Sequence, residues 1–452
     1  MSLDEQLRAE LERETVTTLP TDQSEDGLAL SFCEAHPHLR YVAKWNAWML
    51  WNGACWIDDG TLAVYDRIRV HIRNAAGTNM KDKTPAKAQT VAAVERLARA
   101  DRRYAATVDC WDLDEWLLNT PAGVVDLRSG VLRPHAPQEY MTKVTAAGPA
   151  GDCPIWNNFL LAITGNDPAY VAFLQRVMGY CITGSVKEHA LFFFYGTGGN
   201  GKGTFLNMLQ AILKDYASVS STDTFTESAR DRHPTELAAL RGARVVFAQE
   251  TEEAKAWAET KIKALTGGDP ITARYMRQDF FTFSPKFKLL IAGNHKPALR
   301  NVDEAIRRRL HLLPFMEKFS ADKRDLDLPD KLKAESGGIM KWIVDGTSAY
   351  LREGLNPPPV VVEATAEYFL AENTFGQWIA ESCETNRDFW ETPTRLFMSW
   401  RRFAEDANER PGAQKQFAER LQSAGFRSGN YKARGGRHWA GLRIRENGFD
   451  SE

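Results

Sequence analysis

The stretch that most constrains this chain is Leu191–Thr204, which reads Leu-Phe-Phe-Phe-Tyr-Gly-Thr-Gly-Gly-Asn-Gly-Lys-Gly-Thr. Its first four apolar residues and Tyr195 have the unbroken hydrophobicity of a β-strand buried on both faces, as found inside parallel sheets. Gly196, Gly198, Gly199 and Gly201 lead to Lys202, and a helical pattern (Phe205, Leu206, Met208, Leu209, Ile212, Leu213) begins at once. Strand, Gly-x-x-x-x-Gly-Lys, helix is the order that cradles phosphate. Glycines let successive backbone N–H groups turn toward one anion, and the helix start adds partial positive charge. The spacing predicts a cradle from Gly196 through Thr204, Asn200 included, with Lys202 reaching the terminal phosphates. Gly203 departs from the usual pattern, in which Ser or Thr holds Mg2+, so Thr204 supplies the nearest hydroxyl.

The 452 residues leave room for about three domains. A hydrophobic share of 43% and a charged share of 26% fit a globular class and exclude a fibrous or wholly disordered one. With a net charge of −2, any nucleic-acid contact has to come from local basic patches. Cys33, Cys55, Cys110, Cys153, Cys181 and Cys383 contain no Cys-x-x-Cys pair. They read as reduced thiols, neither a zinc site nor a disulfide framework. No apolar run has the length of a membrane span and the acidic N-terminus does not read as a signal peptide, so the expected compartment is the cytoplasm and no membrane partner is expected.

Residues 1–26 read as an acidic, flexible lead-in, and 27–150 as an N-terminal α+β domain. Within it, Trp48–Trp56 is apolar sequence broken by Asn52-Gly53, a hairpin signal. Trp45, Trp48, Trp51 and Trp56 suit a small aromatic core better than a base-stacking surface. Helical periodicity covers Leu62–Ala75 and Ala86–Ala100, and short strands cover Trp116–Arg133. Residues 151–355 open with a helical stretch, Trp156–Cys181, and continue past the glycine loop with strand candidates at Arg244–Ala248, Ile271–Met276, Phe280–Phe283, Lys288–Ala292 and His311–Phe315. Helical sequence at Gly338–Glu353 closes this region. That alternation predicts an α/β P-loop core. Residues 356–364, which begin Asn-Pro-Pro-Pro, read as a linker, since consecutive prolines cannot continue a helix. Residues 365–452 then hold three helical patterns (from Ala364, Pro393 and Ala413) and a terminal hairpin, which suggests a winged helix; Thr392 before Pro393 is an N-cap signal.

A phosphate loop needs a carboxylate at a neighbouring strand end, and Arg244–Ala248 runs through Gln249 to Glu250. Glu250 would organise Mg2+ and the attacking water; a surface acid at a strand end is the alternative. Asn294, ending the Lys288–Ala292 strand, is placed to sense the terminal phosphate or to cap a turn. Arg307, Arg308 and Arg309 precede another strand. One of them, reaching a neighbouring subunit, would stabilise charge in phosphoryl transfer, whereas surface ion pairing is the bland alternative. Lys263, Arg274 and Arg277 surround a β-hairpin and suit backbone contacts to single-stranded nucleic acid, if they are not simply solvated.

In this order the motifs resemble the superfamily 3 helicases, within them the phage and plasmid primase–helicase group related to the poxvirus enzyme. The strongest stretches are Leu118–Leu127, similar to the group's N-terminal helicase-associated signature, and the Gly196–Thr204 loop. The hairpin, sensor and arginine motifs correspond to Lys263–Arg274, Lys288–Pro297 and Ala305–Phe315. The resemblance implies a multidomain α/β chain with an AAA+-like ATPase core, binding ATP and Mg2+. By position, Lys202 binds phosphates, Glu250 acts as base and metal organiser together with Thr204, Asn294 is the sensor, and Arg309 is the arginine finger with Arg308 its nearest rival. Arg277 lies near the tip of a DNA-tracking hairpin flanked by Lys263 and Arg274. Gln249 stands where some members carry a first acid. Gly203 followed by Thr204 also occurs in nucleoside monophosphate kinases, so that glycine does not exclude catalysis.

Larger relatives carry a primase domain, whose chemistry needs clustered carboxylates. Asp112 and Asp114 are the only tempting pair upstream, so no primase activity is expected. The C-terminal region is strongly basic, with twelve basic against four acidic side chains between Arg395 and Arg445, a local balance of +8. Lys415, Arg420, Arg427, Lys432, Arg434 and Arg437 are the candidates for DNA phosphate there. The expected function is a ring-forming, hexameric ATP-driven helicase that moves 3′→5′ on single-stranded DNA. Forked DNA and a separate primase or initiator are its expected partners in replication of a phage, plasmid or integrated element. The rivals are an ATP-assembled origin-binding regulator and a small-molecule phosphotransferase.

Overall fold

The computed structural model describes residues 24–76, 87–227, 235–249, 256–276, 279–299, 302–320, 324–407, 409–431 and 436–445. Helix α1 (Glu25–Ala35) starts at Ser24, whose Oγ accepts from the Gly27 amide at 3.0 Å. Strands β1 (Leu39–Val42), β2 (Ala47–Trp51) and β3 (Trp56–Asp58) form an antiparallel sheet in that order. Helices α2 (Ala63–Ala76) and α3 (Ala88–Ala100) bury Val64, Ile68, Ile72, Val91, Val94 and Ala98 against Leu39, Trp48 and Leu50. The expected hairpin and both helices are present. Trp48 and Trp56 are buried, their indole N–H groups donating to Glu95 at 2.7 Å and to the Pro137 carbonyl at 2.8 Å. These two rings form core, leaving Trp45 at the surface with 36% exposure.

Strands β4 (Leu117–Thr120), β5 (Gly123–Asp126) and β6 (Val131–Arg133) make a second antiparallel sheet. Its Leu118, Val125 and Leu127 belong to the central core, not to the core of the preceding helices. Arg244 reinforces that junction by donating to the carbonyls of Ile182 and Leu117. Strands β4–β6 thus join the central core, while residues 137–141 pack back on Trp56 of the first sheet.

The helical stretch before the glycine loop is two helices, α4 (Pro154–Ile163) and α5 (Pro168–Cys181). Gly165 and Asn166 take positive φ of 67° and 60°, and Asp167 caps the new start by accepting from the amides of Ala169 and Tyr170. There follow β7 (Leu191–Tyr195), α6 (Lys202–Leu213), β8 (Ala217–Ser221), α7 (Thr235–Ala238), β9 (Val245–Gln249), α8 (Glu259–Gly267), β10 (Ile271–Ala273), β11 (Phe281–Phe283), β12 (Lys288–Gly293), α9 (Glu304–Arg307) and β13 (Leu310–Pro314). Five strands form one parallel sheet in the order β13-β7-β12-β9-β8, and β10 pairs with β11 as a separate hairpin. Burial on both faces explains the unbroken apolar runs of β7, β9 and β12.

Beyond the sheet come α10 (Leu328–Ala334) and α11 (Ser336–Glu353). Helix α11 crosses α5 with backbone touching backbone: a Cβ at Gly179 would lie 2.1 Å from the Gly346 carbonyl carbon. The proline run expected to be a linker starts a helix instead, α12 (Pro359–Ala371), with Pro359 at its first position. A missing N–H costs nothing there. This helix covers β13, where Thr365 Oγ1 accepts from the Leu312 amide at 3.0 Å, and it buries Ala364, Tyr368 and Phe369 with the sheet.

The last region runs α13 (Thr374–Ser382), β14 (Cys383–Glu391), α14 (Pro393–Asp406), α15 (Gln414–Ser423), β15 (Arg427–Tyr431) and β16 (Gly436–Ile444), its antiparallel strands ordered β14-β16-β15. Trp378, Leu396, Trp400, Phe417, Leu421 and Trp439 form a separate core. Thr392 caps α14 as expected, accepting from the Arg395 amide.

Candidate phosphate-binding site

The carboxyl ends of adjacent strands β7, β12 and β9 converge, the place where parallel sheets receive ligands. Gly293 lies level with Tyr195, and Ala292 level with Gln249. From Tyr195 the chain enters the glycine loop, where Gly198, Gly199 and Gly201 have φ of 86°, 64° and 83°, values costly for any residue with a Cβ. Two close approaches add to this. A Cβ at Gly196 would meet the Phe315 carbonyl oxygen at 2.1 Å, and one at Gly201 the Ile163 side chain at 2.5 Å.

Lys202 is buried at the start of α6. Its Nζ donates to the Gly196 carbonyl at 2.6 Å, to Asn200 Oδ1 at 3.3 Å and to Asn294 Oδ1 at 3.5 Å. Burial pushes its pKa below the usual lysine value, so the site favours an arriving anion that would compensate the desolvated charge. Two predicted residues, Lys202 and Asn294, are thus brought together. The Asn200 side chain ties the loop to the chain leaving β13, its Nδ2 donating to the Phe315 carbonyl at 2.8 Å.

Thr204 sits half-buried in the first turn of α6. A Cβ at the neighbouring, exposed Gly203 would meet nothing within 4 Å, so a side chain would fit there. Glu250 lies outside the described residues. Gln249 before it is exposed and donates to Asn207 Oδ1 at 3.4 Å.

The arginines lie at the opposite, amino-terminal ends of the strands. The Leu191 amide, at the start of β7, donates to the Arg309 carbonyl at 2.7 Å. Strand β7 has five residues at about 3.3 Å each, so Arg308 and Arg309 are roughly 15 Å from their own glycine loop. The two differ in their surroundings. Arg309 is only 7% exposed, and its guanidinium donates to Thr266 Oγ1 at 3.2 Å and to the Ala305 carbonyl at 2.8 Å. Arg308 is the exposed one.

Of the hairpin residues, Arg277 lies outside the described residues. Arg274 stacks its guanidinium on Phe280, 4.8 Å from the ring centre, while Phe280 and Met276 are 60% and 70% exposed. Lys263 forms an ion pair with Asp303 at 2.5 Å. In the C-terminal region Lys415, Arg427 and Arg437 are exposed. Arg420 is instead paired with Glu409 at 3.1 Å and stacked on Trp400, and Lys432 and Arg434 lie outside the described residues. Asp112 ties two segments together, accepting from the Thr142 amide at 2.8 Å, and Asp114 caps a turn, accepting from the Trp116 amide at 2.9 Å.

Comparison with known proteins gives family matches over two stretches of the chain. A family described as "D5 N terminal like" matches residues 29–165, and a family of unknown function matches 194–309. A protein of Acanthamoeba polyphaga mimivirus provisionally named a helicase is 26% identical over 294 residues, 60% of this chain and 31% of its own length. One of Frog virus 3 (isolate Goorha), named likewise, is 27% identical over 237 residues, 48% of this chain and 24% of its own. Primase D5 of Fowlpox virus (strain NVSL) is 27% identical over 157 residues, 33% of this chain and 19% of its own. The chain thus spans less than a third of the length of these curated relatives. The apo structure of the NrS-1 C-terminal region shares the fold, with a TM-score of 0.51 at 11% identity over 92% of this chain and 98% of that one. In class the protein is a mixed α/β chain built on a parallel five-stranded sheet. The chain fits the primase–helicase family. Among the described residues no helix is long and apolar enough to cross a membrane.

Proposed function

We propose that this chain is the ATP-hydrolysing motor of a superfamily 3 DNA helicase, acting as a hexameric ring that moves 3′→5′ on single-stranded DNA during replication of a phage, plasmid or integrated element. The observation that carries this reading is the convergence of Lys202 and Asn294, 3.5 Å apart, on a glycine loop at the carboxyl ends of parallel strands. Loop N–H groups and Lys202 hold the phosphates of ATP. Asn294 orients the terminal phosphate and the attacking water, and Glu250 accepts that water's proton. Mg2+ bound with the nucleotide supplies charge neutralisation of the phosphates, with Thr204 and Glu250 as its protein contacts. Arg308 lies too far from its own loop to act there, which favours a site shared between subunits in which it stabilises the charge developing in its neighbour's phosphoryl transfer.

The β10–β11 hairpin, with Arg274 and Arg277, is read as the element that grips single-stranded DNA. The C-terminal order helix, strand, helix, helix, strand, strand suits a winged helix, with Lys415, Arg427 and Arg437 as its exposed cations toward forked DNA. A separate primase or initiator is its proposed partner. Purified protein is expected to hydrolyse ATP faster with single-stranded DNA present and to separate a forked duplex, and Arg274→Ala is expected to lose the stimulation while retaining basal hydrolysis. Hydrolysis indifferent to DNA, with tight duplex binding, would point instead to an ATP-assembled regulator. Phosphate transfer to a small molecule without an oligomer would point to a phosphotransferase.

A further inference from the structure

We infer that Arg324 is a phosphate-binding residue for a nucleoside triphosphate, contributed by the same subunit as Lys202; this rests on the reading of the glycine loop as a nucleotide site. The chain leaving β13 folds back over the loop in a series of hydrogen bonds. Asn200 Nδ2 donates to the Phe315 carbonyl at 2.8 Å, and the Phe319 amide to the Gly199 carbonyl at 3.0 Å. Arg324 Nε then donates to the Phe319 carbonyl at 3.1 Å. These contacts set the guanidinium against the loop: a Cβ at Gly199 would lie 2.7 Å from Arg324 Nη2. Gly199 is therefore required twice over, by its φ of +64° and by this contact.

A surface arginine usually wanders in solvent or pairs with a carboxylate. Here the Nε bond fixes the base of the guanidinium, and among the described residues no carboxylate pairs with it. The adjacent Asp325 is engaged elsewhere, with Lys331 at 2.6 Å. The terminal nitrogens remain exposed at the rim of the loop, presenting the planar fork of donors that matches phosphate oxygens. Lys202 approaches the cradle from the helix start beneath, and Arg324 from the rim above. Arg308 sits across the sheet and answers to a different subunit.

The test is nucleotide binding by the full chain, measured by calorimetry with a non-hydrolysable ATP analogue and with ADP, comparing wild type, Lys202→Ala, Arg324→Ala and Arg324→Lys. Arg324→Ala is expected to weaken triphosphate binding about tenfold, a loss of about 1.4 kcal/mol, with Arg324→Lys intermediate because a point charge replaces the fork. Thermal unfolding is expected to match wild type, since the side chain is exposed. If Lys202→Ala loses binding while Arg324→Ala binds as wild type does, the inference is overturned and the loop reading stands. If Lys202→Ala also binds as wild type does, the loop reading fails and takes the inference with it.

Discussion

Lys202→Ala is expected to reduce ATP hydrolysis by at least about a hundredfold and to remove measurable nucleotide binding, while leaving the fold intact. The first part follows from the number of interactions the ammonium is placed to make. Removing one preorganised donor from a site of charge development costs about 10²–10³ in rate, and Lys202 is a buried cation bonded to both the loop and Asn294. The second part follows from desolvation. Without phosphate the ammonium is held by three neutral oxygens, and burial already depresses its pKa. Its loss relieves a desolvated charge, so the thermal midpoint is expected to be unchanged or slightly raised. Hydrolysis assays paired with thermal unfolding check both halves; an unfolded variant would show Lys202 to be structural.

The second large effect concerns the scaffold. Gly179→Ala is expected to destabilise the chain by about 3 kcal/mol or more, at the upper end of overpacking costs, and to lower the unfolding temperature by about 3 °C or more. Helix propensity alone predicts the opposite sign, since alanine is favoured over glycine by about 1 kcal/mol inside a helix. Packing wins because the new Cβ would lie 2.1 Å from both the Gly346 carbonyl carbon and the Thr347 nitrogen. Those are backbone atoms of α11 and cannot rotate away. A Cβ at Gly346 would meet the Gln175 carbonyl oxygen at 2.2 Å, and Thr347 Oγ1 donates to the Gly179 carbonyl at 2.9 Å. Scanning calorimetry decides the sign; a midpoint equal to or above wild type would show that the crossing can open without cost.

The glycine loop and the strands beside it were legible because their signals are local. Strands buried on both faces are continuously apolar, and a loop needing positive φ is rich in glycine. Lys202 and Asn294 follow directly from those strand ends. What was not legible depends on partners distant in sequence. Arg308 and Arg309 are identical in type and adjacent, and only the position of Thr266 on α8 decides which guanidinium is buried. Lys263 looks like a free cation until Asp303, forty residues on, is placed beside it. Three prolines resemble a linker, yet the last can begin a helix if a sheet edge awaits it, as β13 does. Strand β14, Cys-Glu-Thr-Asn-Arg-Asp-Phe-Trp-Glu, is mostly polar and carries an irregular register between Thr385 and Trp390, so neither alternation nor an apolar run marks it. Arg324 has no motif at all. Its importance arises from the chain folding back over Gly199, a contact between segments more than a hundred residues apart.

The separation of Lys202 and Arg308 across one sheet defines how the motor would work. Each subunit would carry a phosphate cradle at the carboxyl ends of its strands and an arginine at the amino ends, so a head-to-tail arrangement brings them together and a closed ring uses every pair. The most direct measurement is ATP hydrolysis by mixtures of Arg308→Ala and Glu250→Gln subunits. Each variant alone is expected to be inactive, because every interface lacks either the arginine or the base. In mixtures, an interface with its cradle from Arg308→Ala and its arginine from Glu250→Gln is intact, and hydrolysis is expected to return. No recovery in mixtures that demonstrably co-assemble would contradict a site shared between subunits.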